Sequence, residues 1–418
     1  MSILLKDVML YGRETSILIE GDRIAGVGAV EESAEHVIDG RGKCALPGLV
    51  NTHTHAAMTL MRGYADDLPL QEWLEKHIWP LEANLTEDDV YWGTRLACLE
   101  MIRSGTTCFN DMYWHMEGAC RAVDDSGIRG FMGGVLIDMF DEGKAEEQIR
   151  ENERIIPRLR GEFGGRVNLT LGPHALYTVS ADSLKWCAEY ARENGMLVHF
   201  HLSETEREVS DCVKKNGKRP VEYLDGLGFL GPNLVCAHSV WLDDNEIRIL
   251  AERGVKVSHC PVSNMKLAVG SALRYDDLRN AGVTVSLGTD GCASNNNLDM
   301  FESMKFAALL QKMHYNSQTT MPASDALRMA TIDGARSLGL NAGAIEEGML
   351  ADVILMDLRR PDLTPHHNLE SDIVYSTNGS CVDTVICDGR VLMSDGVIEG
   401  DVEVMEKASD VAEDLKSR

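Results

Sequence analysis

Between about residue 49 and residue 340, short apolar runs alternate with helix-length amphipathic stretches. The runs include Val167-Asn168-Leu169-Thr170-Leu171, Met196-Leu197-Val198, Leu234-Val235-Cys236-Ala237, Val255-Lys256-Val257-Ser258 and Val283-Thr284-Val285-Ser286-Leu287. The stretches include Asp88 to Ser104, Asp182 to Asn194 and Asp243 to Arg253. Short runs rich in branched side chains predict buried strands, and apolar positions recurring every three or four residues predict helices. Their alternation predicts a parallel sheet covered by helices. The flanks read differently. Before about residue 48 only short strands are predicted: Ser16-Ile17-Leu18-Ile19-Glu20, a turn at Gly21-Asp22, then Arg23-Ile24-Ala25-Gly26-Val27-Gly28. After about 340 the strands return. Gly343 to Met356 reads as a turn feeding a strand, and Val382 to Cys387 and Arg390 to Leu392 flank the hairpin dipeptide Asp388-Gly389. Asp401 to Ser417 predicts a terminal helix.

The polar residues at the strand ends decide between open and closed sheets. An open doubly wound sheet usually carries a glycine-rich phosphate loop after its first strand. Here the first strand, Leu46 to Thr52, ends in His53-Thr54-His55 instead. His201-Leu202-Ser203-Glu204, His238 and Asp290 each follow a later strand-like run. Polar residues at many successive strand ends fit a closed (β/α)8 barrel, whose active site gathers at that rim. The predicted architecture is such a barrel over residues 49–344. It is inserted in a small β-sandwich built from 1–48 with 345–418, the last part being a helix at about 401–417.

Two histidines one residue apart on a strand point to one side. Neutral imidazoles are common nitrogen ligands of catalytic divalent metals. With His201, His238 and Asp290 at other strand ends, His53 and His55 predict a metal centre rather than packing histidines. Glu204 follows His201 by three residues, so it emerges near such a centre and could carry protons; the bland alternative is a helix-start carboxylate in Ser203-Glu204-Thr205-Glu206. His199 alternates with His201 and is read as structural. His77, His115, His259 and His314 have no partner that the sequence identifies.

Composition narrows the partners. The net charge of -26, from 40 basic and 66 acidic residues, argues against nucleic acid and against an anionic membrane surface. With 44% hydrophobic residues the chain can build a large core. The 11 cysteines are scattered, with no CxxC pair, which predicts buried reduced thiols in a cytoplasmic protein. The N-terminal segment Met1 to Asp7 lacks signal-peptide architecture, and no apolar run approaches about 18 residues.

Longer motifs carry a resemblance. They are Leu46-Pro-Gly-Leu-Val-Asn-Thr-His-Thr-His55, Asp67-Leu-Pro-Leu-Gln-Glu-Trp73, Gly172-Pro-His174, His201-Leu-Ser-Glu204, Ser258-His-Cys-Pro-Val-Ser-Asn264, Gly288-Thr-Asp-Gly291 and Gly348-Met-Leu-Ala-Asp352. Together they resemble the amidohydrolase superfamily. Within it the chain is most similar to the methylthioadenosine/S-adenosylhomocysteine deaminases and their methanogen-type 5'-deoxyadenosine deaminase branch. The resemblance implies an inserted barrel, one divalent metal and a homotetramer. It implies that His53, His55, His201 and Asp290 hold the metal, that Glu204 and His238 do proton work, and that Glu82, His174 and Trp73 face the nucleoside. Zinc is the first expectation, although imidazole and carboxylate also suit Fe2+ or Mn2+. The dinuclear branch uses a lysine on the fourth strand, and Val167 to Leu171 has none.

The implied reaction is hydrolytic deamination of 5'-modified adenosines, by attack of a metal-activated hydroxide on C6 of the adenine ring. Asp290 could accept a hydrogen bond from the attacking water, and His238 could orient it or relay a proton. The chain departs from the family in one place. Members that grip the amino-acid tail of S-adenosylhomocysteine carry arginines in the loop beyond the third strand. Near there this chain has Gly133-Gly134 and then Asp138-Met-Phe-Asp-Glu-Gly-Lys144. Lys144 is at best a point charge without the bidentate fork of arginine. This favours a nucleoside with a small uncharged 5' group. The competing readings are another amidohydrolase (a guanine or cytosine deaminase, or an aromatic chlorohydrolase) and a catalytically dead scaffold barrel.

Overall fold

The computed structural model describes residues 1–28 and 34–418. Their strands fall into two sheets. The first takes β1 (Ser2–Leu10), β2 (Arg13–Glu20), β3 (Arg23–Gly28), β4 (His36–Asp39) and β5 (Lys43–Pro47) from the start of the chain. The second takes β6 (Leu49–Thr54), β7 (Thr106–Tyr113), β8 (Arg129–Leu136), β9 (Val167–Pro173), β10 (Val198–Leu202), β11 (Leu234–His238), β12 (Lys256–His259) and β13 (Val285–Leu287). β14 (Val353–Asp357), β15 (Val382–Cys387) and β16 (Arg390–Met393) return to the first sheet, whose order is β16-β15-β14-β5-β1-β2-β3 with β4 beside β1.

The second sheet follows the chain from β6 to β13, every neighbouring pair being parallel. Its two ends meet through side chains and loops rather than a ladder. Thr52 Oγ1 donates to the Leu287 carbonyl at 2.9 Å, Asp290 N donates to the His53 carbonyl at 3.0 Å, and Thr289 N donates to Asn51 Oδ1 at 3.0 Å. Gly288 makes this seam possible: a Cβ there would lie 2.7 Å from the Cβ of His53. The barrel floor is apolar, with Val50, Cys108, Phe131 and Val235 packed against Ala335, Leu338 and Leu350. One step further along the strands, Thr52 meets Ser258 and Ser286. The imidazoles lie beyond that polar layer.

The elements predicted from the pattern are present, with helices at Glu87–Arg103, Ala181–Glu193 and Asp244–Arg253 and a terminal helix at Asp401–Ser417. That last helix packs on the helix Glu87–Arg103 of the barrel. Ala408 and Leu415 join the barrel core, and Arg418 reaches Asp89 at 2.6 Å. The first sheet encloses a core of its own, from Ile3, Leu5, Ile17 and Ile19 to Val353, Leu355 and Ile386. All eleven cysteines are free and buried. No helix among the described residues is long and apolar enough to cross a membrane.

A buried ion cluster joins the two sheets. Arg129 on β8 reaches Asp352, just before β14, at 3.3 and 3.4 Å, and Asp388 at 2.8 Å. Arg129 and Asp352 are almost fully buried. Removing one member of such a cluster leaves charge uncompensated in a dry site, which costs about 3–5 kcal/mol. Arg129→Ala is therefore expected to lower the denaturation midpoint well below that of a surface arginine variant such as Arg154→Ala. Equal midpoints in guanidinium titrations of the two variants would show the cluster to be energetically neutral.

Candidate active site

The barrel rim gathers the predicted residues. His53 lies in β6 and His55 just after it; His201 lies within β10, and His238 ends β11. Asp290 stands three residues past β13 in a left-handed backbone conformation, φ +62°. His53 and His201 thus belong to their strands rather than following them, because inward-facing imidazoles interrupt the apolar run without ending the strand. His53 Nε2 and His55 Nε2 each lie 3.4 Å from Asp290 Oδ1, and His55 Nε2 lies 3.3 Å from His201 Nε2. Ligands about 2.1 Å from a common tetrahedral centre sit about 3.4 Å apart, so these spacings fit one cation.

The outer nitrogens fix how the rings face. His55 Nδ1 donates to the Met112 carbonyl at 2.7 Å and His201 Nδ1 to the His174 carbonyl at 2.9 Å. A carbonyl only accepts, so each Nδ1 carries the proton and each Nε2 turns a bare lone pair inward. His53 Nδ1 meets His199 Nε2 at 2.7 Å, while His53 Nε2 is buried with no hydrogen-bond partner. Burial pushes the pKa of His53 down to about 4 and that of His201 well below its usual value, so both rings are neutral. Burial opposes ionisation of Asp290, but the electrostatic pull of His53, His55 and His238 around it holds it well below the usual carboxylate range. Its Oδ2 accepts from Ser263 Oγ at 2.6 Å and its Oδ1 from Gly291 N at 2.7 Å. An orphaned imidazole nitrogen, neutral rings and an ionised carboxylate converging on one point fit a divalent metal ion.

Beside this cluster lies a carboxylate–imidazole pair. Glu204 Oε2 stands 4.0 Å from His238 Nε2, and both residues are buried. Burial raises the pKa of Glu204. Burial depresses that of His238, but the carboxylates of Glu204 and Asp290 outweigh it and carry it above its ordinary value. His238 Nδ1 is set by Asn264 Oδ1 at 2.8 Å. Ser203, His238, Ser239 and Asp290 all adopt positive φ, between +47° and +65°. Each such non-glycine conformation costs about 1 kcal/mol or more, and their clustering at one rim marks it as a place where geometry outranks stability.

A cavity of about 670 Å³ opens above these groups, with Trp73, Trp79, Glu82, Tyr113, Trp114, His174 and Tyr177 in its walls. Aromatic faces and one carboxylate suit a flat heterocycle bearing hydroxyls. Burial raises the pKa of Glu82 against the pull of Tyr113 and Trp114 beside it. Burial brings His174 down to about 3, so it is neutral, with Nδ1 2.9 Å from Thr178 Oγ1. A second cavity adjoins, sharing Leu70, Leu74, Trp79, Tyr177 and Glu204. Its cations are Arg207 and Lys215. Lys144 lines neither cavity: it sits exposed in the first turn of the helix Glu142–Glu162, carried outward by the Asp141 cap.

The nine residues singled out from the sequence therefore come together. Others at the site carry weaker signals. Ser263 and Asn264 lie inside the motif Ser258 to Asn264, where the sequence gives them no role, and His199 has the right alternation with His201. Tyr113, Trp114 and Tyr177 give no signal beyond their positions near strand ends.

The sequence profile of the amidohydrolase family matches residues 44–392. The chain is 56% identical over 385 residues to a 5'-deoxyadenosine deaminase of Methanoregula boonei, covering 92% of this chain and 87% of that protein. It is 49% identical to a 5-methylthioadenosine/S-adenosylhomocysteine deaminase of Archaeoglobus fulgidus, over 96% of this chain and 95% of the other. Among solved structures, an adenosine deaminase from Xanthomonas campestris with bound zinc superposes with a TM-score of 0.91 at 33% identity, covering 100% of this chain and 99% of that one.

Proposed function

The chain belongs to the amidohydrolase family, and from that premise we propose that it deaminates the adenine ring of 5'-modified adenosines. The observation that carries this reading is a three-imidazole, one-carboxylate donor set beside a buried Glu204, under an aromatic cavity. Relatives named for 5'-deoxyadenosine and for methylthioadenosine and S-adenosylhomocysteine support the substrate class. Water adds to C6, the C6–N bond breaks, and the products are the inosine analogue and ammonia.

His53, His55, His201 and Asp290 would hold a single divalent ion, zinc by preference, and such an ion would supply the Lewis acidity that makes water nucleophilic near neutral pH. The residues do the rest. Glu204, whose pKa burial raises, gives a proton to N1, which makes C6 electrophilic. It then takes a proton from the attacking water and passes it to the departing amine. Asp290 accepts a hydrogen bond from that water, and His238 orients it. Glu82 accepts from the ribose hydroxyls, His174 contacts the purine, and Trp73 closes the wall. The active species is a homotetramer in the cytoplasm.

The loop after β8 offers Asp138, Met139, Phe140 and Asp141 but no arginine. A charge-assisted hydrogen bond is worth about 1.5–3 kcal/mol, so without one at this loop S-adenosylhomocysteine forgoes the about 10- to 100-fold gain in kcat/KM that a gripped tail would bring and is expected to turn over no faster than 5'-deoxyadenosine. Rates for 5'-deoxyadenosine, methylthioadenosine, S-adenosylhomocysteine and adenosine, followed through the adenine-to-hypoxanthine ultraviolet shift, test this order. Free adenine, guanine and cytosine belong in the same series. Turnover of free bases alone would overturn the nucleoside reading.

A further inference from the structure

We infer that Glu208 is a positioning residue for the reaction: its carboxylate holds the turn that aims Glu204 into the cavity. The inference rests on the proton role proposed for Glu204. Glu208 is the third residue of the helix Glu206–Asn216, whose N-cap Thr205 accepts from its backbone N–H at 3.2 Å. In an ordinary capping box the side chain at that position would return the bond to the N-cap backbone. Glu208 does not. Its Oε1 accepts from Ser203 N and its Oε2 from Glu204 N, both at 2.8 Å. The carboxylate reaches past the helix start to clamp the two peptides between His201 and the cap.

The clamp has a counterpart on the other side. The Ser203 carbonyl accepts from Val240 N at 3.1 Å and Trp241 N at 2.9 Å. The Ser203 peptide is therefore held at both ends while its φ stays at +47°. The strands alone do not enforce that conformation, and relaxation of the turn would swing the Glu204 side chain. Both carboxylates are almost fully buried, and Glu204 stands where the two cavities meet. Helix stability alone requires neither the burial nor the double bond to peptides upstream of the cap. A cap at the helix start works as well in solvent.

Glu208→Gln separates the two roles. Its amide can accept from one peptide N–H but must turn an NH2 toward the other. Displacement of a reacting group by about 1 Å costs about 100-fold, so kcat is expected to fall about 10- to 100-fold. Metal content and folded far-ultraviolet dichroism should stay at parental values, and KM should move less than about threefold, because Glu208 acts on the chemical step and not on binding. The decisive measurement is the double-mutant cycle with Glu204→Gln. If Glu208 works only through the Glu204 carboxyl, adding Glu208→Gln to Glu204→Gln leaves the residual rate unchanged within about threefold. Multiplying losses would overturn the inference. So would a Glu208→Gln single variant with undiminished kcat, one lacking metal, or one that does not fold. Full activity in Glu204→Gln alone would instead overturn the proton role itself.

Discussion

Glutamine in place of Glu204 is expected to lower kcat by about 10²- to 10⁴-fold, the range general acid–base groups contribute, while the metal stays bound. The adenine ring resists attack at C6 until N1 takes a proton, and an amide cannot give one. Glutamine keeps the volume of the side chain, and Glu204 is not one of the four donors; it stands 4.0 Å from His238, outside that set. Loss of rate without loss of metal therefore isolates the proton. Burial suits Glu204 to proton donation, because it raises the carboxyl's pKa against the pull of His238 and so favours the acid form. Metal analysis and steady-state rates on the same preparation decide the matter. A Glu204→Gln enzyme within about tenfold of the parent would assign the proton to another group, with His238 the nearest candidate.

The strands that form the barrel are buried on both faces, so they stand out in the sequence as short apolar runs between amphipathic helices. Their limits do not. Met196-Leu197-Val198 marks β10, but the strand runs Val198–Leu202 and carries two histidines inside it. Polar residues in a strand end an apolar run without ending the ladder, and β10 keeps its register with β11 through His201. Period-two alternation is enough to place His53 with His55. It is not enough for His199, because β6 and β10 lie four strands apart and their meeting depends on barrel curvature. Ser263, Asn264 and Glu208 orient Asp290, His238 and the Glu204 turn through loop and helix-start geometry, which leaves no periodic trace. Lys144 is a case that the sequence leaves open: its charge stands at a suggestive place in the chain, but it is exposed in a first helical turn and lines neither cavity.

Asp290→Asn is expected to reduce activity by at least about 10³-fold, and the loss should have two separable parts. The first is the cation. Asp290 is the only anionic member of the donor set, so a neutral amide leaves three imidazoles and no charge compensation. The purified variant should carry less than one metal per subunit. The second is the carboxylate's own hydrogen bonding. Its two oxygens accept from Ser263 Oγ at 2.6 Å and Gly291 N at 2.7 Å. An amide nitrogen facing Gly291 N meets a donor, and one facing Ser263 Oγ makes that hydroxyl turn from donor to acceptor; leaving a buried donor unpaired costs about 1–3 kcal/mol. The rotated or weakened side chain then no longer accepts from the attacking water. Excess zinc, cobalt or manganese should restore full metal content to Asp290→Asn without restoring the parental rate. Parental protein stripped with a chelator should lose its activity and regain it on adding metal back. Recovery of the parental rate in metal-saturated Asp290→Asn would reduce Asp290 to a ligand and remove it from the proton path.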